Sequence, residues 1–446
     1  MANANVLLIV ADSLRARNTS LLGYRRETTP FLDSFADRAT VYTQARSPSN
    51  WTLPSHVSLF SGYDAHEHGF DLGDRLDPGH TVFEELAGKG YETGLFSDNP
   101  FLTEHESGLE TVFEYARGTP DSFPPEFATN GDLGDWPNGF WYVEELLEWT
   151  GEREGPWAAC LNLMDTHRPY EPLEEYDRWS DERVRALQET MGFKWHWEFL
   201  SGNVSLGFAN LLEAIYDGAI RQADAITERV VTALEDRGEL EGTLVVVCSD
   251  HGESFGSETV LDSEPPAVSH RIGTHDDLYH VPLVVKAPGQ DEGQRVDHLA
   301  TLTRFPEAVR SLALDERRVD GPTFAVDRAF ASQPPIGPAM AREAERICGD
   351  AEPFSKHARI VYEEVPGDSV LKRAAWGEEA YETLIRGRNE RVDRGEIPAQ
   401  RVLSAFEGSE RVDLASPLEE YTEFAEGYDN EFADELEDRL EALGYR

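Results

Sequence analysis

The sequence predicts an α/β protein: a central, mostly parallel sheet flanked by helices, followed by a small C-terminal α+β subdomain. Three observations carry that prediction. Apolar runs at residues 6–11, 157–164 and 243–248, broken only by Asn162 and the opening Thr243, have the composition of strands buried on both faces, as parallel strands are. Stretches of helical period alternate with them, above all residues 211–237, where Ile215, Ile226, Val230 and Leu234 share one face. Beyond Phe324 the pattern breaks into short mixed segments, such as 358–364, that suit a small antiparallel sheet. The expected division is a main domain over 1–323 and a subdomain with an acidic helical tail over 324–446.

The first run, 6–11, reads as a central strand that stops at Asp12. Residues 31–39 have helical spacing, and 41–45 form a strand that feeds the stretch 47–62, SPSNWTLPSHVSLFSG. Within that stretch Pro54 is tolerated in a first helical turn and Gly62 ends the helix, so Thr52 falls at or just before a helix N-terminus. A helix over 81–88, capped by Thr81, leads into a strand at 91–96 and then Ser97, Asp98 and Asn99. Periodicity fades over 104–138, where Pro120, Pro124, Pro125 and Pro137 punctuate an expected insertion. A helix at 140–149 precedes the strand 157–164, which ends in Asp165, Thr166, His167 and Arg168. A second insertion, 179–205, is rich in Trp and charge and includes Lys194 and His196. The strand 243–248 ends in Asp250, His251 and Gly252; a mobile loop is expected over 254–268, and a helix over 299–312. A last helix, 433–445, closes the tail.

Composition narrows the function. The 446 residues hold 85 acidic against 40 basic side chains, a net charge of -45, and only five lysines. With 40% hydrophobic residues the chain can still build a core, so the acidity reads as adaptation to high salt rather than disorder. Such a charge argues against nucleic acid or an anionic membrane surface as partner. The three cysteines, Cys160, Cys248 and Cys348, lack metal-ligand spacing and read as reduced thiols. The apolar run at 6–11 is too short for a signal or membrane helix, and a soluble cytoplasmic protein is expected.

Every chemically suggestive residue follows an apolar strand or sits in the 47–62 stretch, so one pocket at the carboxyl edge of one sheet would collect them. Unpaired N–H groups and the helix dipole at Thr52 favour an anion, and a hydroxyl held there is placed to attack a phosphate or sulfate. Thr is also a common helix cap. An Asp ending a central strand is a metal-ligand candidate, and adjacent Asp250 and His251 can face one divalent ion while Gly252 lets the backbone turn away.

Thr52-Leu53-Pro54-Ser55-His56 with Ser58-Leu59-Phe60-Ser61-Gly62, the block Asp12-Ser13-Leu14-Arg15, the set Asp165-x-His167-x-Pro169-Tyr170 and Asp250-His251-Gly252 together resemble the sulfatase branch of the alkaline phosphatase superfamily over roughly residues 5–289. The resemblance implies an alkaline-phosphatase-like fold in which Asp12, Thr52, Asp250 and His251 hold a divalent ion, Mn, Zn, Mg or Ca, with an imidazole ligand favouring Mn or Zn. A second ion would involve Asp165 with His167. His275, with His270 as the fallback, is expected beside the anion, as is His167; Arg15, His56 and Asn99 are expected substrate contacts. Asp217 and Asp224 resemble structural residues of the family. Two departures matter. Thr52 and His56 stand where sulfatases carry a Cys or Ser that becomes formylglycine and an Arg, and Ala11 replaces the first of two metal aspartates. Both pull the expectation toward metal-dependent cleavage or transfer of a small phosphate ester by Thr52. The rivals are a sulfuric ester hydrolase working without formylglycine and a non-catalytic anion-binding protein of the same fold.

Overall fold

The computed structural model describes residues 3–418 apart from 130–135, 192–194, 315–321, 368 and 387–389. Lys194 and the tail helix expected at 433–445 lie outside the described residues.

An eight-stranded sheet forms the centre. Its spatial order is Gln294–Thr301, Thr40–Arg46, Leu283–Lys286, Thr243–Cys248, Asn5–Ala11, Trp157–Leu163, Glu92–Ser97 and Tyr115–Arg117. Leu283–Lys286 runs antiparallel to both neighbours and every other pairing is parallel. Trp157–Leu163 and Thr243–Cys248 are buried along their full length, which is why they read as mostly apolar runs. Side chains alternate between two cores: Val6, Leu8 and Val10 face one, Leu7 and Ile9 the other.

Register fixes the site. Val10 lies opposite both Asn162 and Cys248, and Asn162 lies opposite Ser97. Two residues further on, the chain reaches Asp12, Asp250 and Asn99 at one level on the carboxyl edge of three strands. The helix Ala209–Asp236 packs on one face, and two of its acids serve structure as expected. Asp217 accepts from Asn18, Tyr24 and Arg26, and Asp224 accepts the backbone N–H groups of Phe31 and Leu32 at 2.7 and 3.0 Å.

A five-stranded antiparallel sheet, Arg328–Gln333, Ala358–Val365, Ser369–Trp376, Glu379–Arg386 and Glu390–Pro398, is paired in chain order. It packs against the segment 274–280: Tyr362 donates to Asp276 at 2.9 Å, and Lys372 donates to the Thr274 carbonyl. Three expectations are corrected. Residues 299–301 extend a strand, and the helix begins at Phe305, because Leu299 and Ala300 are drawn into pairing with Gln44 and Ala45. Residues 254–268 are not a loose loop: Ser254–Ser257 and Ala267–Ser269 pair antiparallel, with Phe255, Leu261 and Val268 buried. The first insertion supplies an edge strand of the main sheet, Tyr115–Arg117.

Candidate active site

Thr52 is the first residue of the helix Thr52–Ser61, fully buried, and Gly62 ends that helix at φ 86°. Its hydroxyl meets Asn99 Nδ2 at 3.4 Å, and the same Nδ2 donates to Asp12 Oδ2 at 2.9 Å. Asn99 serves twice, since its Oδ1 also caps the next short helix by accepting from Phe101 N. A turn-forming residue is thereby also a site residue.

Asp12, Asp250 and His251 offer ligand atoms that all lie within 4.8 Å of one another, and all three are fully buried. His251 Nδ1 lies 3.0 Å from the Gly252 carbonyl and so carries the proton, which leaves Nε2 an acceptor. That Nε2 faces Asp12 Oδ1 at 3.5 Å and Asp250 Oδ2 at 3.4 Å. Among the described residues Nε2 and Asp250 Oδ2 have no hydrogen-bond donor. Acceptors turned toward one another without a donor between them call for a cation, and a mixed oxygen and nitrogen set suits a divalent one. Burial, and then Asp250, pushes the Asp12 carboxyl up to about 7, and burial does the same to Asp250, while burial lowers His251.

The surroundings hold this group rigidly. Ser13 N donates to Asp250 Oδ1 at 3.2 Å, with Ser13 itself at φ 62°, and Thr166 donates to the Asp12 carbonyl at 2.6 Å. Ser55, one turn into the Thr52 helix, donates to the Asp250 carbonyl at 2.5 Å, tying helix to strand end. A Cβ at Gly252 would lie 1.9 Å from the Asp277 carbonyl oxygen, so only glycine fits. His56 directs Nδ1 to the Thr52 carbonyl at 2.9 Å and lies 3.6 Å from Asp250 Oδ2; burial lowers it to about 4.

The histidines divide. The His270 ring lies 4.5 Å from that of His251 and 5.2 Å from that of His167, and its Nδ1 is 3.3 Å from Glu253 Oε2. His275 instead lines a separate cleft with Arg15, Arg17 and Glu213. The fallback histidine, not the preferred one, therefore stands beside the carboxylate cluster. The strand end at Ser249 and the return at Ala267–Ser269 bring His270 over the sheet edge, and sequence spacing alone does not reveal that return.

Two further expected site residues already have protein partners. Arg15 turns its guanidinium to Glu213, to Asp277 at 3.3 Å and to Asn18 at 2.6 Å, so carboxylates already neutralise it. Asp165 accepts from Gly139 N at 3.2 Å and Gln222 Nε2 at 2.6 Å, and it stands apart from the Asp12, Asp250 and His251 group. Sequence reasoning passed over two buried cations. Arg271 stacks on the ring of Trp51, the residue before Thr52, at 3.9 Å, and Arg168 bonds His196 of the second insertion at 2.8 Å. Their adjacency to His270 and His167 in sequence was the available signal.

A hydroxyl at a helix start beside a buried Asp-Asp-His group, on the carboxyl edge of a mostly parallel sheet, is the arrangement that the resemblance to the alkaline phosphatase superfamily implies. Within it the chain belongs to the sulfatase family, whose sequence model matches residues 4–313. Arylsulfatase K of Canis lupus familiaris is 23% identical over 337 residues, covering 67% of this chain and 61% of that protein. The chain thus spans about three-fifths of the length of the curated relative it matches. Among solved structures, the phosphonate monoester hydrolase of Agrobacterium radiobacter superposes with a TM-score of 0.62 at 18% identity, over 99% of this chain and 95% of that one. A protein in the alkaline phosphatase superfamily from Vibrio parahaemolyticus does so at 0.57 and 13%, over 100% and 86%. At these identities the structures are likenesses of fold.

Proposed function

We propose that the protein cleaves or transfers small anionic phosphate esters with Thr52 as nucleophile. The observation that carries this reading is the Asn99 amide, which bridges the Thr52 hydroxyl and Asp12 and so holds the hydroxyl at the rim of the Asp12, Asp250 and His251 group. A divalent ion held by those three residues would acidify the hydroxyl and neutralise an ester oxygen. Thr52 Oγ gives up its proton to solvent and forms a bond to phosphorus as the bond from phosphorus to the leaving oxygen breaks. His270, His167 and Arg271, which stand beside the group, would hold the ester oxygens, and the leaving oxygen takes up a proton from solvent. Water, or an acceptor hydroxyl, then attacks phosphorus and frees Thr52.

A sulfate ester is the second reading, favoured by the name of the arylsulfatase K relative. Against it stands the chemistry of Thr52: ordinary alkoxide attack on sulfur leaves a stable sulfate ester on the enzyme. The phosphonate monoester hydrolase neighbour adds a substrate class to try. No helix among the described residues is long and apolar enough to cross a membrane.

The test is hydrolysis of p-nitrophenyl phosphate, bis-p-nitrophenyl phosphate, p-nitrophenyl phenylphosphonate and p-nitrophenyl sulfate in high KCl. Chelated protein receives Mn, Zn, Mg or Ca, and Thr52→Ala is run beside the wild type. We expect metal-dependent turnover of a phosphorus ester that falls by about 10³-fold or more in Thr52→Ala. Sulfate as the dominant substrate would overturn the phosphorus preference, and turnover indifferent to Thr52 would overturn the mechanism.

A further inference from the structure

The sharpest departure from the molecule's charge balance lies away from Thr52. Between the helix Ala65–His68, the outer face of the C-terminal sheet and residues 406–411 lies a cleft of about 350 Å³. Its walls include His66, Phe70, His357, Arg359, Phe406 and Arg411, and among the described residues no Asp or Glu lines it. In a chain with 85 acidic and 40 basic residues, an acid-free, arginine-bearing cleft is out of proportion.

Several arginines on or beside this sheet have carboxylate partners. Arg328 and Arg373 both pair with Glu363, and Arg401 lies 3.6 Å from Glu382. Arg359, half-buried on the strand Ala358–Val365, and Arg411 make no such pair among the described residues. Asp74 is close enough to feel Arg411 but does not bond it. Gly69, at φ 62°, makes room for the second arginine, since a Cβ there would meet Arg411 Nη2 at 3.1 Å. The His66 ring is wedged against Phe330 and Phe406 at 5.0 and 4.8 Å, and its Nδ1 is buried with no partner. His357 Nε2 meets Ser332 Oγ at 3.2 Å.

The Arg359 guanidinium, drawn partly out of water without a carboxylate, is costly to hold until an anion meets it, and the planar fork of either arginine suits a two-oxygen head group. The apolar remainder of the wall suits a ring or short chain attached to that head. We infer that this cleft is a second anion-binding site, taking a small organic oxyanion, a carboxylate, phosphonate or sulfonate on an aromatic or aliphatic body. Arg359 and Arg411 grip the oxygens, and Phe70 and Phe406 cover the body. Pro54, two residues after Thr52 on the same helix, forms part of the wall, so the helix that carries the nucleophile borders the ligand.

The experiment is calorimetric titration of the full-length, chelated protein with benzoate, phenylphosphonate and benzenesulfonate, and separately with inorganic phosphate and chloride. We expect at least one aryl anion to bind about tenfold or more tighter than either inorganic ion. Arg359→Gln and Arg411→Gln should each weaken it about tenfold or more while ester hydrolysis stays at the wild-type rate. Arg411 is exposed, so its substitution keeps the test valid if Arg359→Gln fails to fold. Wild-type affinity in Arg411→Gln, or binding of inorganic ions alone, would overturn the assignment. The site stands independently of the chemistry at Thr52: loss of hydrolysis with aryl-anion binding intact would count against that chemistry only.

Discussion

Asp12 and Asp250 are the residues at which the sequence, the fold and the chemistry meet, and their burial has a measurable cost. Both carboxyls are pushed up to about 7, against about 3.9 for an exposed aspartate. Between those values the pair holds more protons in the folded chain than in the unfolded one, so its contribution to the stability of the metal-free protein falls as pH rises from about 4 to about 7. A divalent ion needs the deprotonated pair and should cancel the fall. The expected outcome is a Tm for chelated protein that, relative to Asp250→Asn, becomes steadily lower from pH 5 to pH 8, and recovery at pH 8 on adding Mn or Zn. Identical slopes in wild type and Asp250→Asn would show that the pair is not responsible. The histidines give a second prediction at this scale. His270 stacks beside His251 whereas His275 lines the cleft of Arg15, so His270→Ala should lower kcat by about 10²-fold or more and His275→Ala by far less. The reverse ranking would return His275 to the site.

At the scale of elements, what was legible followed from local physics. The apolar runs marked the three central strands, and strand ends marked Asp12, Asp250 and His251, because a parallel sheet gathers its functional residues at its carboxyl edge. Thr81 was legible as a cap, and it does accept from Glu84 N. Asn99 was legible only as a candidate, since capping and site roles both fit an Asn after a strand. What was not legible depended on long-range pairing. No local pattern says that Ser254–Ser257 meets Ala267–Ser269, and that return is what exchanges His275 for His270. Nor does spacing show that Gly139 and Gln222 occupy Asp165, or that Glu213 occupies Arg15. Asp224 tests the structural half of this reading. It is the acceptor for two backbone N–H groups at the start of the helix Pro30–Phe35, where no side chain of the N-cap residue, Thr29, does the work. Asp224→Ala should therefore cost about 1–3 kcal/mol in urea denaturation and leave kcat unchanged. A loss of activity at full stability would place Asp224 in the functional machinery instead.

For the whole molecule the governing quantity is the net charge of -45. Lysine is scarce at the surface beyond what its count suggests, because Lys286 and Lys372 are buried, the first 3.2 Å from Glu241 and the second 3.6 Å from Asp276. The outer charge is thus carried by carboxylates, offset by arginines in pairs such as Arg38 with Glu235 and Arg310 with Glu85. Repulsion among the unpaired carboxylates opposes the compact state over a range set by the ionic atmosphere, about 10 Å at 0.1 M salt and about 3 Å at 1 M. At 0.1 M that range spans several surface residues; at 1 M it is shorter than most gaps between them. Stability should therefore rise steeply with KCl, and Tm measured from 0.1 to 2 M should climb by about 10 °C or more before levelling off once the screening length falls below the spacing of charges. The rise should be as large with NaCl as with KCl if screening is the cause, and a much larger effect of one cation would point to specific ion binding. A flat Tm across that range would show that the acidic surface is not an adaptation to salt, and the carboxylates would then need another partner to account for them.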